Sequence, residues 1–171
     1  YSNDMWLNSN VTGERLPKGE GRGDYPELPL IVGNEIAERI TSLEDQDKLT
    51  TLYTEKAVDF IDRNAQHPFF LYVPHTMAHI PLGVSDKFRG KSEQGLYGDV
   101  MMEIDWSVGE IVRAVERLGL ERRTLIVFFS DNGGKTSAGA TNRPLRDGKG
   151  STYEGGYRVP MFFHWPGQVP S

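Results

Sequence analysis

Three stretches of the chain carry side chains whose types and spacing could do chemistry. In the first, Ser130-Asp131-Asn132-Gly133-Gly134, a carboxylate stands next to an amide carbonyl. Both are hard oxygen donors of the kind that Ca2+ or Mg2+ takes, and the glycines behind them permit a close backbone approach. The same residues also suit a plain turn or a helix N-cap, because Asp, Asn and Gly favour such positions for local reasons. In the second, Pro74-His75-Thr76-Met77-Ala78-His79-Ile80-Pro81, the imidazoles stand four residues apart. On a helix that spacing would put both on one face for a metal, but the flanking prolines oppose a helix, so a paired zinc site is not expected. A single imidazole that donates to an anion or protonates a leaving group is the functional alternative, and a loop histidine bonded to backbone is the structural one. The third stretch, residues 145–158 (LRDGKGSTYEGGYR), sets Arg146 and Lys149 among glycines. Glycine lets backbone come near an anion while lysine supplies a point charge. The G-x-x-x-x-G-K-[ST] spacing of a nucleotide phosphate loop is absent and no helical pattern follows, so nucleotide binding is not expected, and a surface loop with solvated charges is the plain alternative.

The elements that must position these stretches are legible from apolar spacing. From about Asp47 to Gln66 the residues Leu49, Leu52, Tyr53, Ala57, Phe60 and Ile61 recur at steps of three and four, which predicts an amphipathic helix ended by Pro68. Met101, Ile104, Val108, Ile111, Val115 and Leu118 predict a second, with Gly119 as its stop. The runs 69–73 (FFLYV) and 125–129 (LIVFF) are unbroken and apolar, as suits strands buried on both faces, and a third run over 159–165 predicts a further strand. Strand, helix, strand in that order implies a crossover unit, hence an α/β fold with a largely parallel sheet. In such sheets ligands gather beyond the carboxyl ends of strands, which is where the His and Asp-Asn stretches fall. Residues 1–40 hold Gly13, Pro17, Gly19, Gly21, Gly23, Pro26 and Pro29 and read as mostly loop, with one short strand near Leu30 to Val32.

Composition bounds what else is open. The chain has 171 residues, 37% hydrophobic and 25% charged, enough for one ordinary domain and without the apolar stretch of a membrane span. Its 19 glycines and 10 prolines predict extensive loops, some of them functional. A net charge of -5 offers no general basic field for nucleic acid or anionic lipid, so an anionic ligand must be caught locally. The absence of cysteine removes disulfides, thiolate zinc sites and a Cys nucleophile from this stretch. No signal or transit peptide pattern is visible at Tyr1.

Taken together, residues 68–81 (PFFLYVPHTMAHIP), 95–111 (GLYGDVMMEIDWSVGEI), 124–134 (TLIVFFSDNGG) and 144–160 (PLRDGKGSTYEGGYRVP) resemble the sulfatase family, of the arylsulfatase and N-acetylgalactosamine-6-sulfatase type, within the alkaline-phosphatase-like superfamily. The opening Tyr1-Ser2-Asn3-Asp4-Met5 looks like a loop that follows the first half of that catalytic domain. The resemblance implies an alkaline-phosphatase-like mixed, largely parallel sheet flanked by helices. It implies one partial catalytic domain over 1–171, with a loop-rich 1–45 and an α/β core over 46–171. It also implies hydrolysis of sulfate esters by a formylglycine nucleophile and a divalent cation, usually Ca2+. By the same resemblance His79 matches the sulfate-contacting histidine and candidate general acid, Asp131 and Asn132 match metal ligands, and Lys149 matches the sulfate-binding lysine. His75 takes no role from it. The C/S-x-P-x-R motif that yields formylglycine is absent from these residues, so the nucleophile is expected from outside them and the chain alone is expected to be inactive. Aryl sulfates and sulfated glycans are both open as substrates, and family habit is lysosomal, periplasmic or secreted. A two-zinc phosphatase or phosphodiesterase of the superfamily, and a sulfated-glycan binding module without the nucleophile, are the alternatives.

Overall fold

The computed structural model describes residues 28–170, so the opening loop at residues 1–5 and most of the loop-rich segment lie outside the described residues. The chain divides into two units, Tyr1–Phe60 with Phe69–Ile111, and Ile61–Pro68 with Val112–Ser171.

In the first unit, Gly33 (φ 64°) and Asn34 turn strand β1 (Leu28–Val32) back onto β2 (Glu35–Ile40) in an antiparallel hairpin. A glycine at the first turn position supplies the left-handed φ that a two-residue hairpin turn needs. The hairpin is anchored at its far end, where Leu28 and Ile40 pack with Leu49, and at its middle, where Leu30 joins that cluster and Glu38 pairs with Lys48. β2 reads EIAERI and is exposed up to Ile40, and this polar strand has no apolar run to announce it. Ser42 then caps helix α1 (Leu43–Asp47): its hydroxyl accepts from the Asp45 N–H at 3.1 Å, while the Asp45 carboxylate accepts from the N–H groups of Ser42 and Thr41. Those donors, Thr41 foremost, pull the Asp45 carboxyl down to about 2.

The two long helices form as expected. Helix α2 (Leu49–Asn64) buries Leu49, Ala57 and Ile61 on one stripe. Helix α3 (Gly95–Arg117) ends in a Schellman motif, with the Leu120 N–H bonded to the Val115 carbonyl at 3.0 Å and the Gly119 N–H to Glu116 at 2.9 Å, Gly119 taking φ 67°. The buried stripe of its first half differs from the predicted one. Met101 is exposed, whereas Asp99, Glu103 and Ser107 are buried. Each is satisfied: Asp99 accepts from the N–H groups of Ser92 and Gly90, which hold its carboxyl below the usual range, and Glu103 accepts from Thr51 Oγ1 (2.8 Å) and the Ser85 N–H (3.0 Å).

The strands depart most from expectation. The run 69–73 is not a paired strand among the described residues; it alternates, with Phe70 (88% exposed) and Tyr72 (70%) outward while Phe69 meets Phe60 edge-on. In the second unit β3 (Ile126–Phe129) pairs with β4 (Met161–His164) antiparallel, with Ile126 opposite His164 and Phe129 opposite Met161. Both described sheets are two-stranded and antiparallel, so the largely parallel pairing drawn from residue order is not what the described strands form. A two-stranded ribbon covers neither face, and Val127, Phe129, Phe162 and Phe163 are accordingly exposed, against the expectation of strands buried on both faces. No described helix is long and apolar enough to cross a membrane.

Candidate functional site

The Asp-Asn loop leaves the carboxyl end of β3, where Ser130 continues the pairing by donating its N–H to Pro160. Asp131 is exposed and makes no hydrogen bond or ion pair among the described residues. Asn132 is half-buried, and its Nδ2 donates to the Gly133 carbonyl at 3.0 Å. That bond uses one of the two Nδ2 hydrogens and leaves the Asn132 amide oxygen without a partner among the described residues. One carboxylate and one amide oxygen on neighbouring residues fit part of the shell of about six to eight oxygens that Ca2+ takes. Among the described residues no group of three or more His, Asp or Glu gathers at one point.

The glycines that follow do not open a cradle. A Cβ on Gly133 would overlap the Gly155 carbonyl, one on Gly155 the Asp147 carbonyl, one on Gly156 the Ser151 carbonyl and one on Gly148 the Gly134 carbonyl. These four glycines let backbone pack on backbone. Gly133 donates its N–H to Gly156 (2.9 Å), Lys149 to Gly134 (3.1 Å) and Gly155 to Arg146 (2.9 Å). The loop's N–H groups at Gly148, Lys149, Ser151, Gly155 and Gly156 all go to protein acceptors. Those donors are engaged within the protein, whereas Gly150 takes φ 89° with open space where a Cβ would stand. What the loop offers an anion is the Lys149 side chain, exposed and without an ion pair or hydrogen bond among the described residues. Arg146 lies flat against Tyr153, its guanidinium 3.5 Å from the ring centre.

The histidine loop belongs to the first unit. His79 Nδ1 is 2.7 Å from the Ile80 carbonyl oxygen, and a carbonyl can only accept, so Nδ1 carries the proton of this bond. Side chains of α1 hold the loop: Gln46 donates to the Pro81 carbonyl, and Asp47 accepts from the Val84 N–H at 3.0 Å while pairing with Arg89. Burial pushes the Asp47 carboxyl up, and the Val84 bond and Arg89 oppose it. His75 is placed apart in function: its Nε2 is 3.2 Å from buried Ser107 Oγ, which lies 2.6 Å from Thr54 Oγ1. It is bonded to a side chain rather than to backbone, and burial pushes its imidazole pKa down against the opposing pull of Glu103.

The structure thus brings the Asp131–Asn132 loop and the Lys149 loop together within the second unit, joined through Gly134. His79 is set by its own unit. Sequence reasoning missed Gln46 and Asp47, and it missed Asn142, whose amide grips both backbone groups of Gly134: Oδ1 accepts the N–H and Nδ2 donates to the carbonyl, each at 2.8 Å. No periodicity marks a loop asparagine. The cue in reach was an Asn just upstream of a glycine-rich loop, in a segment too irregular to be only a turn.

The family profile described as Sulfatase matches residues 2–171. Human arylsulfatase D is 39% identical over 150 residues, 83% of this chain and 25% of that protein. The N-acetylgalactosamine-6-sulfatase of Canis lupus familiaris is 42% identical over 129 residues, 72% of this chain and 25% of that protein. Among solved structures, the PsFucS1 sulfatase from Pseudoalteromonas sp. superposes with a TM-score of 0.73 at 31% identity, covering 80% of this chain and 28% of that one. The chain spans about a quarter of the length of the curated relatives it matches. Because the family profile matches nearly the whole chain and both named relatives are more than 30% identical over more than two thirds of it, the chain belongs to the sulfatase family.

Proposed function

We propose that the whole protein carrying this chain hydrolyses sulfate esters and that this chain supplies the cation-binding oxygens and the sulfate-binding charge. The supporting observation is the 3.1 Å bond from the Lys149 N–H to the Gly134 carbonyl, which ties the loop of hard oxygen donors to the loop bearing an unpaired ammonium group. A sulfate ester becomes more negative at its leaving oxygen as the S–O bond breaks, so charges fixed beforehand act mainly on the transition state. Asp131 and Asn132 bind a divalent cation, Ca2+ by their all-oxygen chemistry. When bound, that cation and a formylglycine contributed from outside residues 1–171 supply Lewis acidity and the nucleophile. Lys149 binds and orients the sulfate through charge. His79, whose Nδ1 is bonded to the Ile80 carbonyl, is the proton donor to the departing alcohol, the role of a general acid.

The relatives named above are sulfatases of an aryl or amino-sugar type, which supports a sulfated alcohol or phenol as substrate. The test is competition in substrate: the whole protein is expected to release sulfate from a sulfate ester faster than phosphate from the matching phosphate ester. Preferential phosphate release would move it to the phosphatase alternative. Calcium-dependent sulfate binding without turnover, in protein whose nucleophile is verified by mass spectrometry, would favour a glycan-binding module.

A further inference from the structure

We propose that Asn142 is a positioning residue that sets Lys149 against the cation-binding loop. This rests on the sulfate-ester reading above and adds to it a residue that touches neither substrate nor cation. The Asn142 amide satisfies both backbone groups of Gly134 at 2.8 Å, as a neighbouring strand would. The Gly134 carbonyl also accepts from the Lys149 N–H at 3.1 Å, so its two lone pairs are shared between Asn142 and Lys149. Asn142 is wedged on the other side as well, since a Cβ on Gly148 would stand 2.6 Å from its Nδ2. One amide therefore borders Gly134, two residues after Asn132, and Gly148, next to Lys149.

Among the described residues no other side chain hydrogen-bonds to Gly134. Alanine at Asn142 would leave the Gly134 N–H without an acceptor and its carbonyl held by Lys149 alone, so the Gly133–Gly156 and Lys149–Gly134 backbone bonds would remain but the side-chain tie that sets Gly134 against Gly148 would be lost. A displacement of about 1 Å of a binding group is enough to cost up to about 100-fold in a preorganised site.

The experiment uses the whole protein with Asn142→Ala and Asn142→Ser, the latter keeping one hydroxyl in place of the amide. Binding of inorganic sulfate and of calcium is measured by titration calorimetry well below the melting temperature, so that only folded protein is read. The expected result is a sulfate dissociation constant raised about tenfold or more in Asn142→Ala and less in Asn142→Ser, with kcat falling more than KM rises. A residue that only stabilises the fold would lower the melting temperature and leave both dissociation constants unchanged, and that result overturns the proposal. Failure of both variants to fold would make Asn142 a folding residue and overturn it too. Wild-type protein that binds neither calcium nor sulfate would sink the sulfate-ester reading itself, whereas normal wild-type binding with unaffected variants sinks only the role of Asn142.

Discussion

Gly133 and Gly156 approach so closely that the N–H of one meets the carbonyl of the other at 2.9 Å, with no side chain between them. This contact brings the Asp131–Asn132 loop onto the glycine-rich loop of Lys149. Both glycines are required by space, because a Cβ on either would overlap a backbone carbonyl. Gly133→Ala is therefore expected to destabilise by about 1–3 kcal/mol, the range for overpacking that backbone must absorb. Thermal unfolding of the variant checks it, and an unchanged melting temperature would show that the loops need not touch.

Asp131→Ala is expected to weaken divalent-cation binding while leaving the unfolding free energy of the cation-free protein within about 0.5 kcal/mol of wild type, since the carboxylate is exposed and engages no described partner. Calcium titration of the whole protein after chelation reads the first effect. Undiminished calcium affinity would remove Asp131 from the cation site.

Glu103 is 1% exposed and holds two donors from different segments, Thr51 and Ser85. Glu103→Ala strands those donors in the interior, at about 1–3 kcal/mol for each that stays unsatisfied. Glu103→Gln keeps one acceptor oxygen and is expected to cost less. Equal losses in denaturant unfolding of the two variants would mean that volume, not hydrogen bonding, is what Glu103 contributes.

The pH dependence follows from His75. Burial holds its imidazole below the ordinary 6.5, and its Nδ1 is buried without a partner. The unfolded chain then binds a proton more readily than the folded one, so this contribution is full above pH 6.5 and is lost as pH falls from there through the lowered folded value. His75→Gln is expected to flatten the stability curve across that window, read by melting temperature against pH. A variant whose curve stays parallel to wild type would show that His75 titrates normally.

How much of this was legible in the sequence differs by element. Helices α2 and α3 were, because their apolar spacing persists over several turns and Gly119 marks the stop. The Asp131–Asn132 loop was also legible, because an apolar strand ends directly before it. β2 was not, since EIAERI has no apolar run and its pairing is dictated by the Gly33-Asn34 turn. The run 69–73 misled because five apolar residues look alike whether one face or both are covered, and only Phe69, Leu71 and Val73 are partly covered. The polar stripe of Asp99, Glu103 and Ser107 was hidden for the converse reason. Hydrophobic spacing cannot register a buried carboxylate whose partners come from distant loops.

The proposed role of Lys149 is to bind the sulfate group of the substrate. The most direct test is steady-state turnover of a chromogenic aryl sulfate and the matching aryl phosphate by the whole protein, with Lys149→Ala alongside. The account predicts preference for sulfate and a loss of about 100-fold or more in kcat/KM in the variant, the scale of removing one preorganised charge from a transition-state site. Near-normal sulfate turnover by Lys149→Ala would contradict it.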